Sequence, residues 1–360
     1  MKLPPLIIGE LKAEVPIIQG GMGVGVSGWK LSSAVANEGG IGVISGVQIG
    51  YREPDFETNT KEANIRALKK EIRKAREISP KGILGVNLMV AITNYDDMVK
   101  ACVEEQVDII ISGAGLPLSL PKLVEGSNTK IAPIVSSGKA AMVITKQWTK
   151  KYSRIPDVVI VEGPEAGGHL GFDLEQLGSG KSSLKDIVPE VIEALKPFEE
   201  EYGKKIPVVA AGGIYTGEDI AEFLKLGAAG VQMATRFVAT EECDADINYK
   251  KAYVNSDESN IKIIRSPVGL PGRAVKNNFI DHVEKERIKP DKCYNCLKKC
   301  NPKDTPYCIS KALIEAVKGN VEQGLIFVGS SAYKIDKITT VKDLISELVG
   351  DAEKYLQKGL

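Results

Sequence analysis

The sequence predicts a (β/α)8 TIM barrel followed by a helical, cysteine-containing C-terminal extension. Three observations carry that prediction. Eight short apolar runs alternate with amphipathic segments between Val15 and Ala234, and most of the 36 glycines fall just after such runs. The sixth run, Val158–Val161, opens into a loop, Glu162-Gly163-Pro164-Glu165-Ala166-Gly167-Gly168-His169, that holds one of only two histidines. Short continuous β-branched runs are what strands covered on both faces look like. Strand ends are where α/β barrels keep their chemistry. A doubly wound sheet would also give βαβα alternation; eight regular units favour the barrel.

The elements follow in order. Val15–Ile18 is the first strand and Trp29–Glu38 the first helix. Ile41–Ser45 is the second strand, followed by an insertion, Val47–Asn59, read as a lid, and by the helix Lys61–Ile78. Gly82–Leu88, Val107–Ser112 and Ile131–Val135 are strands three to five, with helices at Tyr95–Glu105, Leu118–Glu125 and Gly138–Trp148. After the sixth strand come a helix at Ser183–Glu201, a strand at Ile206–Ala210, a helix at Gly217–Lys225 and the eighth strand, Gly230–Ala234. The barrel is thus expected over residues 1–240. Residues 241–360 read as an extension packed on it, with helices at Ile309–Lys318 and Val341–Gln357.

Composition narrows the function classes. The chain has 360 residues, 43% of them hydrophobic, and 47 basic against 47 acidic side chains. Balanced charge gives no general attraction to nucleic acid or to an anionic membrane. No apolar run is long enough to span a bilayer, and residues 1–14 lack a signal-peptide pattern. A cytoplasmic protein acting on a small molecule is expected, with homodimerisation left open.

Candidate site residues cluster at strand ends. Gln19-Gly20-Gly21-Met22-Gly23 follows the first strand; a glycine pair lets backbone approach a flat ring, and Met22 is a soft group to pack on one. Asn87 closes the third strand with an amide able to bind a ligand. Ala210-Ala211-Gly212-Gly213 and Gln232-Met233-Ala234-Thr235-Arg236 follow strands seven and eight, where barrels often bind phosphate through backbone N–H groups. Thr235 would add a hydroxyl and Arg236 a charge; the plainer alternative is two glycine turns and a salt-bridged arginine. His169 is a group that exchanges protons near neutrality. It reads as a base, as a donor to a substrate oxygen, or as a structural residue. His282 reads as a surface residue.

Taken together, Ile18-Gln19-Gly20-Gly21-Met22, Gly85-Val86-Asn87, the Glu162–His169 loop, Ala210–Ile214 and Ala234-Thr235-Arg236-Phe237 resemble the nitronate monooxygenases, formerly called 2-nitropropane dioxygenases. They are also similar to the flavin-dependent enoyl-[acyl-carrier-protein] reductases. The resemblance spans roughly Leu3 to Thr240 and implies a (β/α)8 barrel holding FMN. It places Gly20, Gly21 and Met22 along the isoalloxazine, and Asn87 by the ring or ribityl chain. It also implies cofactor contacts for Glu162, Gly167 and Gly168, a phosphate site at Gly212, Gly213, Ala234 and Thr235, and His169 at the substrate. Where this chain has Ala234, the family often has glycine. The implied reaction is oxidation of alkyl nitronates, or nitroalkanes, by O2 to a carbonyl compound and nitrite. The alternatives are NADH-dependent enoyl thioester reduction and a non-catalytic flavin- or metal-binding accessory protein.

Cys293, Cys296, Cys300 and Cys308 place four thiols within sixteen residues. Four thiolates suit zinc or an iron–sulfur cluster, although the spacing fits neither common pattern. Metal-free thiols are the alternative. Cys102 is expected to be buried.

Overall fold

The structure is a computed structural model and describes residues 2–179 and 183–358. A short antiparallel hairpin comes first, β1 (Leu6–Ile8) paired with β2 (Leu11–Ala13). The barrel strands follow: β3 (Ile17–Gln19), β4 (Ile41–Ser45), β5 (Ile83–Met89), β6 (Ile109–Gly113), β7 (Lys130–Val135) and β8 (Val159–Glu162). After β9 (Gly168–His169), β10 (Val208–Ala211) and β11 (Gly230–Met233) complete the ring. The eight parallel strands close in the order β10-β11-β3-β4-β5-β6-β7-β8. The barrel expected from the alternation is therefore present, and each expected strand lies within about two residues of its observed one.

Alternation along the strands sorts side chains by face. Ile18, Ile41, Val43, Ile109, Ile111, Ala132, Val158, Ile160, Val209 and Ala211 fill the barrel interior. Leu6, Ile8 and Ala13 of the hairpin join that cluster, so β1 and β2 plug the end opposite the strand C-termini. The hairpin has no counterpart among the expected elements. The outward residues pack under the helices in a larger core that includes Leu31, Leu68, Met98, Trp148, Val188 and Ile220.

Three features differ from expectation. First, the helix after β6 shrinks to one turn, Leu120–Leu123. Second, the segment after β4 is packed down rather than hinged. Ile49, Tyr51 and Phe56 are buried, and Phe56 stacks on Tyr294 with ring centroids 5.4 Å apart. Third, the strand–helix count closes late in the chain. After β11 comes only a short helix, Thr235–Val238. The outer layer is completed by Val341–Gln357, whose Val341, Leu344, Ile345, Leu348 and Ala352 belong to the barrel's main core. At Gly217 the start of the neighbouring helix meets this last helix backbone to backbone; any Cβ there would collide with Ala352 and Leu348.

Residues 241–340 therefore interrupt the last βα unit. They form a second core around Tyr249, Tyr253, Phe279, Tyr307, Leu313 and Ile326. They also carry β12 (Ile261–Arg265) and β13 (Pro271–Val275), which pair with each other and, through β13, with β9. That small sheet ties the insertion to the loop after β8.

Candidate active site

The uppermost inward positions of the barrel differ in character from those beneath. Below lie Ile18, Ile160 and Val209; the next inward residues are Gly20, Glu162, Ala211 and Gln232. Glu162 and Gln232 flank Ala211 in register, one on each neighbouring strand. Ser45 and Gly113 end β4 and β6, and Asn87 lies opposite Ser45 on β5, two residues before its end. The floor of the site is thus small residues with polar side chains at its rim, over an apolar plug.

Above this floor is a cavity of about 420 Å³. Of the residues that the sequence singled out for cofactor or substrate, all but Arg236 line it: Gly20, Gly21, Met22, Asn87, Glu162, Gly167, Gly168, His169, Gly212, Gly213, Ala234 and Thr235. They come from five separate strand ends, which the closed barrel brings together.

Glycine is required at several of these positions. A Cβ on Gly21 would collide with the Asn87 side chain. Gly212 and Gly213 have φ of +96° and +81°, conformations that L side chains rarely adopt. Ala234, where the family often has glycine, sits at φ −125° and so accommodates its methyl group without strain.

One wall is a cradle of unused amides. The N–H groups of Gly212, Gly213, Thr235 and Gly329 donate to no group among the described residues. Their segments converge. A Cβ on Gly329 would collide with Thr235 Oγ1, and one on Gly167 would lie 2.7 Å from the Gly329 nitrogen. Converging free amides suit an anion such as phosphate. Gly329 belongs to the insertion and was missed in the sequence, where Val328-Gly329-Ser330 carries no strong signal of its own.

Arg236 does not contribute its charge to this cradle. Its guanidinium lies 3.0 Å from Glu347 and 4.7 Å from the Tyr215 ring centroid, and it donates to the Tyr215 carbonyl. The salt-bridged alternative is the one found. A different arginine shapes the site. Arg273 on β13 donates to the carbonyls of Ala166 and, at 2.9 Å, Pro164. It fixes the loop between β8 and β9 from the far side. Burial, only partly offset by Glu165, lowers its pKa.

Two of the titratable groups that line the cavity, Glu162 and His169, are strongly shifted by burial. Glu162 has no hydrogen bond from the described residues, and burial pushes its carboxyl up to about 7. On the other side of Ala211, Gln232 Oε1 is buried and lacks a donor among the described residues. His169 lies on β9, where burial lowers its pKa to about 4. Its Nε2 is 2.7 Å from Ser266 Oγ, and its ring meets Phe327 edge-on at 4.9 Å. His282, by contrast, is exposed.

The cysteine cluster does not form, among the described residues, the zinc or iron–sulfur site that four nearby thiols suggested. Among the described residues, no group of three or more His, Cys, Asp or Glu side chains is arranged to hold a metal ion. All four are free cysteines: Cys293 is exposed, and Cys296, Cys300 and Cys308 are half-buried. Burial pushes the Cys296 thiol up to about 11 and raises that of Cys308. Cys102 is buried as expected, and buried Cys243 donates to the Val26 carbonyl at 3.3 Å.

A closed barrel with its cavity at the strand C-termini defines the class: a (β/α)8 barrel with an enzyme-type ligand site. Residues 5–351 match the nitronate monooxygenase family, and the chain belongs to that family of flavin oxidoreductases. Among relatives, it is 26% identical to (3aS,4S,5R,7aS)-5-hydroxy-7a-methyl-1-oxo-octahydro-1H-indene-4-carboxyl-CoA dehydrogenase of Rhodococcus jostii, over 95% of this chain and 93% of that protein. It is also 26% identical to a probable nitronate monooxygenase of Staphylococcus aureus, over 76% of this chain and 78% of that one. In structure it is similar to FabK from Thermotoga maritima, with a TM-score of 0.72 and 28% identity over 96% of this chain and 94% of that one.

Proposed function

We propose that this protein binds FMN and oxidises alkyl nitronates with O2 to a carbonyl compound and nitrite. The observation that carries the reading is a neutral imidazole, His169, held over a glycine-floored, polar-rimmed cavity. The residues suit this cofactor. Gly20, Gly21 and Met22 offer a flat, soft surface for a ring. Asn87, Glu162 and the unpartnered Gln232 offer polar contacts at its edge, with Gly167 and Gly168 bordering it. The amides of Gly212, Gly213, Thr235 and Gly329, beside Ala234, would hold the phosphate. FMN, when bound, supplies the electron acceptor.

The protein's own part is binding and orientation. His169 is uncharged at neutral pH, and its protonated form is a strong acid, so it is a poor base toward a carbon acid. It is suited instead to holding an oxygen of a substrate that arrives already ionised. That favours the nitronate over the neutral nitroalkane.

A second reading, oxidoreduction of an acyl thioester such as an enoyl thioester with NADH, has one observation behind it. The Rhodococcus relative, whose name specifies a carboxyl-CoA substrate, aligns along nearly the whole chain, insertion included. The Staphylococcus relative aligns over a smaller share. An anaerobic visible spectrum distinguishes the readings. Bleaching of a bound flavin by an alkyl nitronate alone supports the first. Bleaching by NADH alone replaces it with the second, and a protein that takes up no FMN overturns both.

A further inference from the structure

We propose that Ser266 sets the tautomer of His169, so that the imidazole presents Nδ1–H to the cavity and donates a hydrogen bond to a carbonyl or anionic oxygen of the substrate. The inference deepens the proposed function and rests on it for the identity of that oxygen.

Ser266 lies in the turn between β12 and β13 and is 8% exposed. Its Oγ has two partners. The Val268 N–H donates to it at 3.3 Å, and His169 Nε2 lies 2.7 Å away. The only acceptor bonded to the hydroxyl among the described residues is that ring nitrogen. If Nε2 carried the proton instead, Oγ would accept twice and its own buried hydrogen would have nowhere to go. Buried donors are seldom left unmade. The hydroxyl therefore donates to Nε2, and a neutral ring with Nε2 as acceptor carries its hydrogen on Nδ1. Burial keeps the ring neutral at pH 7. Nδ1 makes no bond among the described residues, and the residue lines the cavity.

The ring is also held in place. Its backbone pairs with Gly272 on β13, and Phe327 packs edge-on at 65°. Tyr253, through its hydroxyl, anchors the Phe327 carbonyl. All of these partners belong to the 241–340 insertion. Ser266 is thus a positioning residue: it touches the imidazole, not the substrate.

Only two histidines occur in the chain, so histidine-selective 15N labelling resolves His169 from exposed His282. Two-bond couplings to the ring hydrogens identify each nitrogen. The expected result between pH 6 and 8 is a pyridine-type Nε2 and a pyrrole-type Nδ1 for His169. Ser266→Ala should average or invert the two shifts, and Ser266→Thr should restore them. A pyrrole-type Nε2 in the native protein, or unchanged shifts in a folded Ser266→Ala variant, overturns the proposal. In kinetics, Ser266→Ala should raise KM for a nitronate about tenfold, with a smaller change in kcat. Native protein that shows the stated tautomer yet oxidises no nitronate leaves the tautomer standing and removes the functional reading alone.

Discussion

Glu162 is a cavity-lining carboxyl whose environment departs far from its solution preference. A buried carboxyl with no donor among the described residues keeps its proton to near pH 7. The consequence for stability has a definite sign. The folded pKa lies above the unfolded one, so the folded state binds the proton more tightly. Stability is then lost as pH rises from about 4.5 through about 7. One unit of pKa corresponds to about 1.4 kcal/mol, so the loss is on the order of 1–3 kcal/mol. Glu162→Gln keeps the shape and removes the charge. Flavin-free variant should match the native protein at pH 4.5 and melt several degrees higher at pH 8. Equal melting temperatures at pH 8 would show that the carboxylate finds solvation the fold does not display. At Gly21 the constraint is steric. Gly21→Ala drives a methyl into Asn87, at a position where neither backbone nor β5 has room. It should weaken FMN binding at least tenfold in a fluorescence titration; unchanged affinity would remove that contact from the cofactor wall.

At the scale of elements, the site is set by one short pairing. β9 is two residues long and exists because β13 lies beside it, with Gly272 opposite His169 and Arg273 opposite Gly168. Such a strand leaves no trace in a local pattern, because its partner is about a hundred residues away in sequence. The barrel strands were legible for the opposite reason. Each is buried on both faces, so Ile41–Ser45 or Ile109–Gly113 spells itself out as a continuous apolar run. The cavity glycines were legible because they follow those runs. Ser266, Arg273, Phe327 and Gly329 were not, since they are brought to the site only by tertiary folding of the insertion. A signal did exist for Arg273, a lone cation within Pro-Gly-Arg-Ala-Val, where a strand would otherwise be apolar. The cysteines pointed the other way: four thiols close in sequence make no metal-holding group among the described residues and range from exposed to half-buried. Arg273 offers the test at this scale. Arg273→Ala leaves the Pro164 and Ala166 carbonyls without their donor, at a cost of about 1–3 kcal/mol each if water does not replace it. Amide exchange across residues 163–170 should accelerate while the barrel strands stay protected. Uniform acceleration everywhere would instead mean that Arg273 supports the whole fold and not this loop.

For the molecule as a whole, the order of the chain matters more than its domain count. The barrel's eighth strand ends at Met233, yet the helix that covers the gap beside Gly217–Lys225 begins only at Val341. The chain builds most of the catalytic cover before it closes the scaffold. Leu344, Ile345 and Leu348 face the main core and are at most 4% exposed, and Gly217 permits backbone contact between the two helices. Closure of the barrel and seating of the insertion are then one cooperative event, because the insertion is anchored at both ends to barrel elements. Leu348→Ala removes a fully buried side chain from this seam, and such truncations cost about 2–5 kcal/mol. The variant should unfold at lower denaturant concentration in a single transition, with signals from the barrel and from the insertion moving together. Trp148 lies in the barrel core and Ile309–Val317 in the insertion, so tryptophan fluorescence and amide exchange in that helix follow the two regions separately. Two separated transitions would show that the insertion folds independently of the last helix, and that the late closing of the ring is a matter of chain order alone.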